Sequence, residues 1–373
     1  MTTLHVPVTR PAAAAFVLFF ALGAATAGIG AALPDLRDRF AEGGDSGGLL
    51  VSCYSAGALV AIVVCGLRKR RITARAELAV SIALFAVGSA LAGLAPSWPV
   101  LVGAVALAGC GYGGAVLHVN TAFARGFGDR AVLMLNLVNA TFGAGAVAAP
   151  FVLGFFPTGA VFAAIGVLAL IGAPAWACAE ADDGPTPARL RGPDLRVLTP
   201  FLVLALCYAG LETGIGAWMA THLTWIGFDP SAAARWVSLY WLGVTAGRFV
   251  VPLFARRPAP IVAWCLLTAT VATATATVPD LAPFSYAVAG FALAAVFPTV
   301  IAWLSGLVSA ARQANGLVLV AELTGGVVHP LVIGLLASQA RPAAVPLAIT
   351  ATGLASLLVV GWAHRVARPE EPA

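Results

Sequence analysis

Charged residues are scarce in this sequence. Only 10% of the 373 residues are charged, against roughly 25% in average soluble domains, and Lys69 is the single lysine. Because Lys69 lies in a basic turn, no P-loop lysine and no buried Schiff-base lysine is available, which argues against a self-contained ATPase or a retinal protein. HExxH motifs, nucleophile elbows and metal-ligand clusters are also missing from the sequence, so it predicts no enzyme, no cofactor and no metal.

The cysteines form no CxxC pair, and all six lie in or at the ends of apolar segments. We interpret them as small apolar residues with no disulfide or metal role. They are Cys53, Cys65, Cys110, Cys178, Cys207 and Cys265.

Apolar residues, in contrast, are abundant. They make up 60% of the chain, and the mean hydropathy is +0.94. A soluble fold cannot bury that much apolar surface, so the sequence predicts an integral membrane protein. The net charge of +5 is typical of cytoplasmic loops that face anionic lipid, and we expect no nucleic-acid partner.

Twelve apolar runs of roughly 20 residues recur along the chain, and this is the length that a membrane-spanning helix needs. Each is expected to be a helix, because a backbone in lipid must satisfy its own hydrogen bonds. Residues 12–33 are followed by further spans, so we interpret them as the first helix and not as a signal peptide. The predicted spans are 12–33, 47–67, 77–95, 98–123, 131–154, 157–178, 199–224, 231–254, 258–278, 282–308, 313–338 and 342–363.

One long polar segment, 180–196, interrupts the series and is rich in proline and charge. It predicts an N-terminal six-helix half over 1–178, a cytoplasmic linker over 179–198 and a C-terminal six-helix half over 199–373. With the N-terminus inside, 16 of the 21 basic residues fall on the cytoplasmic side and four fall outside, while Arg248 lies within a span. This asymmetry predicts that both termini are cytoplasmic.

The two halves repeat each other at corresponding spans. V-S-C-Y-S-A-G (51–57) in span 2 matches V-S-L-Y-W-L-G (237–243) in span 8, at an offset of 186 residues. G-A-V-A-A-P-F-V-L-G (145–154) in span 5 matches G-G-V-V-H-P-L-V-I-G (325–334) in span 11, at an offset of 180. The two matches indicate parallel halves related by an axis along the membrane normal.

Four stretches carry a resemblance to a known family. They are Y-A-G-L-E-T-G-I-G-A-W (208–218), L-N-L-V-N-A-T-F-G-A-G-A (135–146), F-P-T (297–299) and G-G-V-V-H-P (325–330). Together with the six-plus-six layout, they resemble the major facilitator superfamily and its fucose–galactose–glucose:proton symporter branch. Two features depart from that pattern. The turn C-G-L-R-K-R-R-I-T-A-R (65–75) lacks the usual aspartate, and span 1 offers Thr26 and glycines where the fucose permease type has an acid.

The resemblance implies an all-α membrane protein with twelve transmembrane helices in two pseudo-symmetric halves, in which spans 3, 6, 9 and 12 face lipid. The sequence agrees, because the interiors of spans 3, 6, 9 and 12 hold no ionisable residue, and the ionisable and amide residues of the span interiors fall on the other spans. Such groups are expected to line a water-accessible path. They are His118, Asn120, Asn136, Asn139, Glu212, Arg248, Glu322 and His329.

We expect Glu212 and Glu322 to carry a coupling proton or to bind the substrate. Neither span 7 nor span 11 has a lysine or arginine near its midpoint, and Arg248 is expected nearer the cytoplasmic surface, as part of an intracellular gate. Unpaired charge is costly within the membrane, so each carboxylate should be neutral part of the time.

The predicted substrate-binding residues combine amides, which suit hydroxylated solutes, with aromatic faces that stack on sugar rings. Several alternatives stay open: interface anchoring for Trp218, helix–helix hydrogen bonding for the span 5 amides, and a bond to a backbone carbonyl for His329. For His118 both a site role and packing stay open. The substrate-binding set is Asn120, Asn136, Asn139, Tyr208, Glu212, Trp218, Glu322 and His329.

Taken together, these features predict a monomeric secondary transporter in the cytoplasmic membrane of a bacterium, surrounded by lipid. It would move a small polar solute, such as a sugar, by alternating access, with protons as the coupling ion. One alternative is an efflux antiporter for a drug-like or natural-product compound. Another is a signalling or scaffolding membrane protein that retains the fold but transports nothing.

Overall fold

The computed structural model describes residues 10–43, 46–67, 73–179, 192–254, 257–308, 310–337 and 341–367. Within these ranges the chain folds into helices, with no β-strand. Ten helical segments of the described residues are long and apolar enough to cross a membrane. The shorter helix Thr158–Ile171 and the helix Pro230–Val250 complete the twelve predicted spans.

The observed helices lie close to the predicted positions. In the N-terminal half, spans 1 to 5 are Arg10–Ala31, Ser46–Leu67, Ala74–Leu94, Trp98–Gly126 and Ala131–Leu153, and span 6 is Thr158–Ile171 continued by the 3-10 helix Ala173–Cys178. In the C-terminal half, spans 7 to 9 are Gly192–Trp225, Pro230–Val250 and Pro258–Thr275. Span 10 consists of Ala282–Leu293 and Val296–Ser305, and spans 11 and 12 are Ala311–Leu336 and Ala344–Val366.

Two details differ from the sequence-based expectation. A short helix, Leu33–Phe40, follows span 1, and its polar sequence gives no apolar signal. Span 7 begins at Gly192, inside the predicted linker. Residues 180–191 of that linker and the basic turn at 68–72 lie outside the described residues.

Proline sets two of the helix boundaries. Span 8 begins at Pro230, whose missing N–H costs nothing at the first helical position, directly after the N-cap Asp229. Span 10 is interrupted just before Val296. There Pro298 has no N–H to donate to the carbonyl of Ala294, so one helical hydrogen bond is missing at the interruption.

Each half has its own hydrophobic core. The halves meet through three pairs of helices, span 1 with 7, span 2 with 11 and span 5 with 8. Spans 3, 6, 9 and 12 pack mainly within their own half, and they expose large apolar side chains, as lipid-facing helices do. Examples are Val80, Val87, Leu91, Val167, Leu170, Trp264, Val271, Leu354 and Leu358.

The halves approach closely at the end of the bundle where span 1 ends and span 2 begins. Gly30, in the last turn of span 1, lies directly against the carbonyl of Gly216 in span 7. Ser52, early in span 2, donates a hydrogen bond to the carbonyl of Val327 in span 11 at 2.6 Å. We call this end the closed end, and span 1 begins and span 12 ends at the opposite side of the bundle.

Candidate functional site

Glu212 and Arg248 form an ion pair inside the C-terminal half. Glu212 lies midway along span 7, and Arg248 lies in the last turn of span 8. The Nη2 atom of Arg248 is 3.9 Å from Oε1 of Glu212, and the two side chains are 35% and 14% exposed, respectively. The expectation that Glu212 lacks a basic partner is therefore wrong, because the long arginine side chain reaches back from the end of its helix.

A second carboxylate completes this group. Glu322 of span 11 lies within electrostatic range of both Glu212 and Arg248, and its side chain is partly exposed. We call Glu212, Arg248 and Glu322 the charged cluster. With all three groups ionised its net charge is −1, and a single added proton makes it neutral.

Aromatic side chains from both halves surround the charged cluster. Tyr208, one turn before Glu212 on span 7, interacts with the carboxylate of that residue. The ring of Tyr208 stacks on Phe297 of span 10, with centroids 5.8 Å apart and an interplanar angle of 20°. Tyr112 of span 4, in the other half, lies within electrostatic range of the charged cluster. Sequence reasoning did not select Tyr112 or Phe297, although Phe297 belongs to the F-P-T stretch.

The internal repeat explains the surroundings of Glu212. Tyr54 and Tyr240 occupy the same position of the V-S-x-Y repeat. The hydroxyl of Tyr54 lies 3.3 Å from Oγ1 of Thr26 in span 1, and the hydroxyl of Tyr240 donates to the backbone carbonyl of Glu212 at 3.1 Å. Thr26 and Glu212 are separated by 186 residues, the offset of the repeat. Span 1 therefore presents a hydroxyl where span 7 presents a carboxylate.

The three asparagines do not act alike. Nδ2 of Asn139 donates to Oδ1 of Asn120 in span 4 at 3.1 Å and to the carbonyl of Leu135 at 2.9 Å. These bonds agree with the helix–helix alternative for Asn139. Asn120 is partly exposed and Asn136 is exposed.

Trp218 and His329 lie at the contact between spans 7 and 11. Nε1 of Trp218 donates to the carbonyl of Pro330 at 3.0 Å, and the side chain is completely buried. Nδ1 of His329 is 3.0 Å from the carbonyl of Gly325, and its ring lies against Gly210. In this conformation Trp218 is neither an anchor at the lipid surface nor exposed to a cavity. His329 makes the contact with a backbone carbonyl that was the alternative to a binding role.

His118 faces span 3, away from the charged cluster. Its Nε2 atom lies 3.1 Å from Oε2 of Glu77, in the first turn of that span. Of the two roles left open for His118, this contact within the N-terminal half favours packing.

A comparison of the sequence with protein-family models identifies the family to which this two-half architecture belongs. The model of the Major Facilitator Superfamily matches residues 15–286. The chain belongs to this superfamily. The twelve-helix fold and the all-α class predicted from the apolar pattern are confirmed. No curated protein sequence matches the chain.

Solved structures of transporters share the fold of this superfamily member. The nucleoside transporter NupG gives a TM-score of 0.78 at 14% identity, over 95% of this chain and 98% of that one. A bacterial homolog of the human lysosomal transporter Spinster, inward-facing and unoccupied, gives 0.70 at 16%, over 96% and 95%. FucP in the outward conformation gives 0.63 at 16%, over 95% and 98%. At these identities the likeness shows the fold, and FucP is among the relatives that the sequence resemblance implies.

The buried indole of Trp218 leads to a prediction about stability. Trp218→Phe removes the hydrogen bond to Pro330 and keeps an aromatic ring, so we expect the free energy of unfolding to fall by about 1 kcal/mol. The thermal unfolding midpoint in detergent measures this change. Trp264→Phe is the matched control, because Trp264 is 65% exposed on span 9. If solute affinity drops strongly in Trp218→Phe with an unchanged midpoint, Trp218 belongs to the binding site as the sequence predicted.

Proposed function

We propose that the chain is a proton-coupled secondary transporter of a small polar solute, such as a sugar, and that the charged cluster is its coupling site. Membership of a superfamily of transporters supports transport. The charged cluster is the observation that supports proton coupling. Transport would follow alternating access, with the two halves rocking around a site between them.

The charge balance of the cluster explains why a proton would be the coupling ion. Arg248 compensates one carboxylate, and the second remains uncompensated in a medium where isolated charge is costly. Taking up one proton removes the excess charge. A rocking motion that changes the distance of Arg248 from Glu212 would alter which carboxylate needs the proton. Uptake on one side and release on the other is what coupling requires.

The gating role of Arg248 remains a proposal beside this one. Arg248, in the last turn of span 8, reaches Glu212 midway along span 7, so the pair can hold these two helices in one arrangement. Breaking the pair during transport would then link the movement of span 8 to the protonation of Glu212.

The aromatic rings around the charged cluster support a ring-shaped, hydroxylated solute. Tyr112 and Phe297 are partly exposed and can offer ring faces, and Tyr112 lies within electrostatic range of both carboxylates. Tyr208 contacts Glu212 but is itself buried against Phe297. Faces of this kind stack on sugar or base rings, and carboxylates accept hydrogen bonds from hydroxyl groups. Asn136 is exposed and carries an amide. NupG is a nucleoside transporter, so both free sugars and nucleosides belong in a substrate panel.

Counterflow in liposomes tests the proposed function. Purified protein would be reconstituted with unlabelled solute inside and assayed for entry of the labelled solute, over a panel of monosaccharides and nucleosides. We expect a saturable counterflow signal with one class of compound. A proton gradient directed into the liposomes should drive accumulation of that solute. Exchange that does not respond to pH would support transport and contradict proton coupling.

One observation favours efflux as a second candidate function. Span 1 carries Thr26 where the fucose permease type has an acid, so the N-terminal half contributes a hydroxyl in place of a charge. Growth on a sole carbon source, compared with resistance to drug-like compounds in cells that express the protein, distinguishes uptake from efflux. If no solute raises the unfolding midpoint and no counterflow is observed, the protein instead fits a signalling or scaffolding role.

We also propose that the protein is a monomer in the bacterial cytoplasmic membrane with both termini in the cytoplasm. The 16-to-4 distribution of basic residues supports this orientation. A reporter that works only in the cytoplasm, fused after Ala373, should be active. A fusion that reports a periplasmic location would contradict this orientation. In this orientation the closed end faces outward.

Alternating access predicts a large effect for Gly30→Ala at the closed end. An added Cβ would overlap the carbonyl oxygen of Gly216, so spans 1 and 7 must separate. Because this contact joins the two halves, we expect a folded protein whose population shifts toward opening at that end, with transport slowed roughly tenfold or more. Labelling of a cysteine introduced at Ser52, which is 2% exposed, by a membrane-impermeant maleimide should increase.

Gly103→Ala in span 4 is the matched control for Gly30→Ala, because a Cβ at Gly103 meets no atom within 4 Å. Counterflow and labelling should be unchanged in the control. If Gly30→Ala behaves like Gly103→Ala in both assays, the contact between Gly30 and Gly216 does not limit the conformational change.

A further inference from the structure

A second polar cluster lies away from the charged cluster, where spans 2, 3 and 4 meet. Cys65 is in the last turn of span 2, Glu77 in the first turn of span 3 and His118 in the second half of span 4. The thiol sulfur, a carboxylate oxygen and an imidazole nitrogen all lie within 4.8 Å of one another. The Nε2 atom of His118 and Oε2 of Glu77 are 3.1 Å apart.

These three ligand types suit a particular class of ion. Thiolate, imidazole and carboxylate together are a donor set for Zn²⁺, whereas Mg²⁺ and Ca²⁺ prefer oxygen alone. In a tetrahedral zinc site with bonds of about 2.0–2.3 Å, neighbouring ligand atoms are roughly 3.3–3.8 Å apart. The His118–Glu77 distance is already close to this range, and a rotamer adjustment of about 1 Å would bring in Cys65.

The position of the cluster allows an ion to enter. The side chains of His118 and Glu77 are 11% and 14% exposed, so they are mostly withdrawn from solvent and lipid but still accessible. Cys65 lies in the last turn of span 2 and Glu77 in the first turn of span 3, so both are at helix ends. Three protein ligands leave one tetrahedral position for water, as in other zinc sites with three side-chain ligands.

We propose that Cys65, Glu77 and His118 bind one divalent transition-metal ion of the zinc class. The thiol would lose its proton to solvent on binding, and the ion would bond to the sulfur, Nε2 and a carboxylate oxygen. Because the ligands come from three helices of one half, the bound ion ties these helices together at their terminus-side ends. The N-terminal half would then move as a more rigid body. This site is independent of the proposed transport chemistry.

The sequence alone predicts no metal here because the ligands are separated by 12 and 41 residues and follow no metal-binding spacing. Tertiary packing brings them together. The competing interpretation is a polar contact that joins three helices without any ion. The two interpretations differ in one measurable property, the affinity for added metal.

Metal binding is tested on the full chain, purified in detergent after removal of any histidine tag. After dialysis against a chelator, the protein is titrated with ZnCl₂, and binding is followed by calorimetry and by metal analysis after gel filtration. We expect one equivalent of bound zinc and a higher unfolding midpoint. CoCl₂ should produce a near-ultraviolet thiolate-to-cobalt charge-transfer band that excess Zn²⁺ abolishes.

Cys65→Ser and His118→Gln should each lower zinc affinity by at least about 100-fold, and Cys65→Ser should remove the cobalt band. Cys110→Ser is the matched control, since Cys110 is a free, partly buried thiol on span 4. The control should bind as the unsubstituted protein does. Equal affinity in Cys65→Ser and Cys110→Ser would overturn the proposal, as would binding of less than one equivalent by the unsubstituted chain.

A further variant covers the case in which these substitutions impair folding. It keeps Cys65 as the sole cysteine, and each of the other five is replaced by alanine. A cobalt band in this variant supports the site. If neither this variant nor the unsubstituted protein shows the band, the cluster is a helix-packing contact.

Discussion

Glu212→Gln is expected to retain solute exchange and to lose accumulation driven by a pH gradient. The amide resembles the protonated acid in shape and hydrogen-bonding capacity, so solute binding and the rocking of the halves can continue. It can neither release nor accept the coupling proton. The charged cluster would then consist of Glu322 and Arg248, whose charges cancel, and no proton is needed to neutralise it.

The size of the effect follows from the energy of a proton gradient. One pH unit is worth about 1.4 kcal/mol per proton, which supports about tenfold accumulation for one proton per solute. In liposomes with a one-unit gradient, the unsubstituted protein should approach that ratio, and Glu212→Gln should stay near one. Counterflow rates should remain within about threefold.

Two further variants make the result for Glu212 specific. Glu322→Gln shows whether the second carboxylate also carries the proton, and Asp280→Asn removes an exposed acid between spans 9 and 10 as the control. If both glutamine variants at Glu212 and Glu322 still accumulate solute against its gradient, the proton is coupled elsewhere. The two carboxylates would then be substrate ligands or structural hydrogen-bonding groups.

Arg248→Ala is expected to abolish transport and to lower stability. Without the guanidinium, Glu212 and Glu322 are two like charges with no compensating partner in the charged cluster. Breaking a fully buried ion pair costs about 3–5 kcal/mol. Arg248 is 35% exposed, so solvent screening reduces the loss to roughly 1–2 kcal/mol. Counterflow should fall by about 100-fold or more, because the cluster can no longer adopt a neutral state with one proton.

Binding affinity decides between two roles for Arg248. If it belongs to the charged cluster, Arg248→Ala should weaken solute binding by tenfold or more, measured by ligand-dependent thermal stabilisation. If it acts only as a gate, affinity should stay within a few-fold while transport slows. Arg248→Lys keeps the charge on a different geometry and should restore part of the activity.

A double variant separates the lost charge from general damage. Arg248→Ala combined with Glu212→Gln removes both members of the pair, so the unfolding midpoint should recover toward that of the unsubstituted protein. Proton-driven accumulation should remain absent. A double variant that is less stable than Arg248→Ala alone would contradict the assignment of the pair as the cause.

The sequence by itself determined the number and position of the spans. A membrane helix is a local object, because its length is set by bilayer thickness and its hydrogen bonds close within the segment. The repeat V-S-x-Y also identified Tyr54 and Tyr240 as equivalent before their contacts with Thr26 and Glu212 were visible. The start of span 7 at Gly192 was missed, since its first turns are polar and carry no apolar signal.

The tertiary structure decided which polar groups meet. Arg248 and Glu212 are 36 residues apart, and the length of the arginine side chain, with the packing of spans 7 and 8, puts them 3.9 Å from each other. Trp218 is buried because span 11 brings the carbonyl of Pro330 to its indole.

For the same reason the sequence alone predicts the spans but not the two clusters. Spans are encoded by runs of neighbouring residues, whereas the charged cluster and the Cys65–Glu77–His118 cluster depend on helix rotation and on contacts between segments far apart in the chain. One residue of rotation on a helix turns a side chain by about 100°. An apolar pattern therefore fixes that a helix crosses the membrane, but only the packing of helices against one another fixes which way each polar side chain faces.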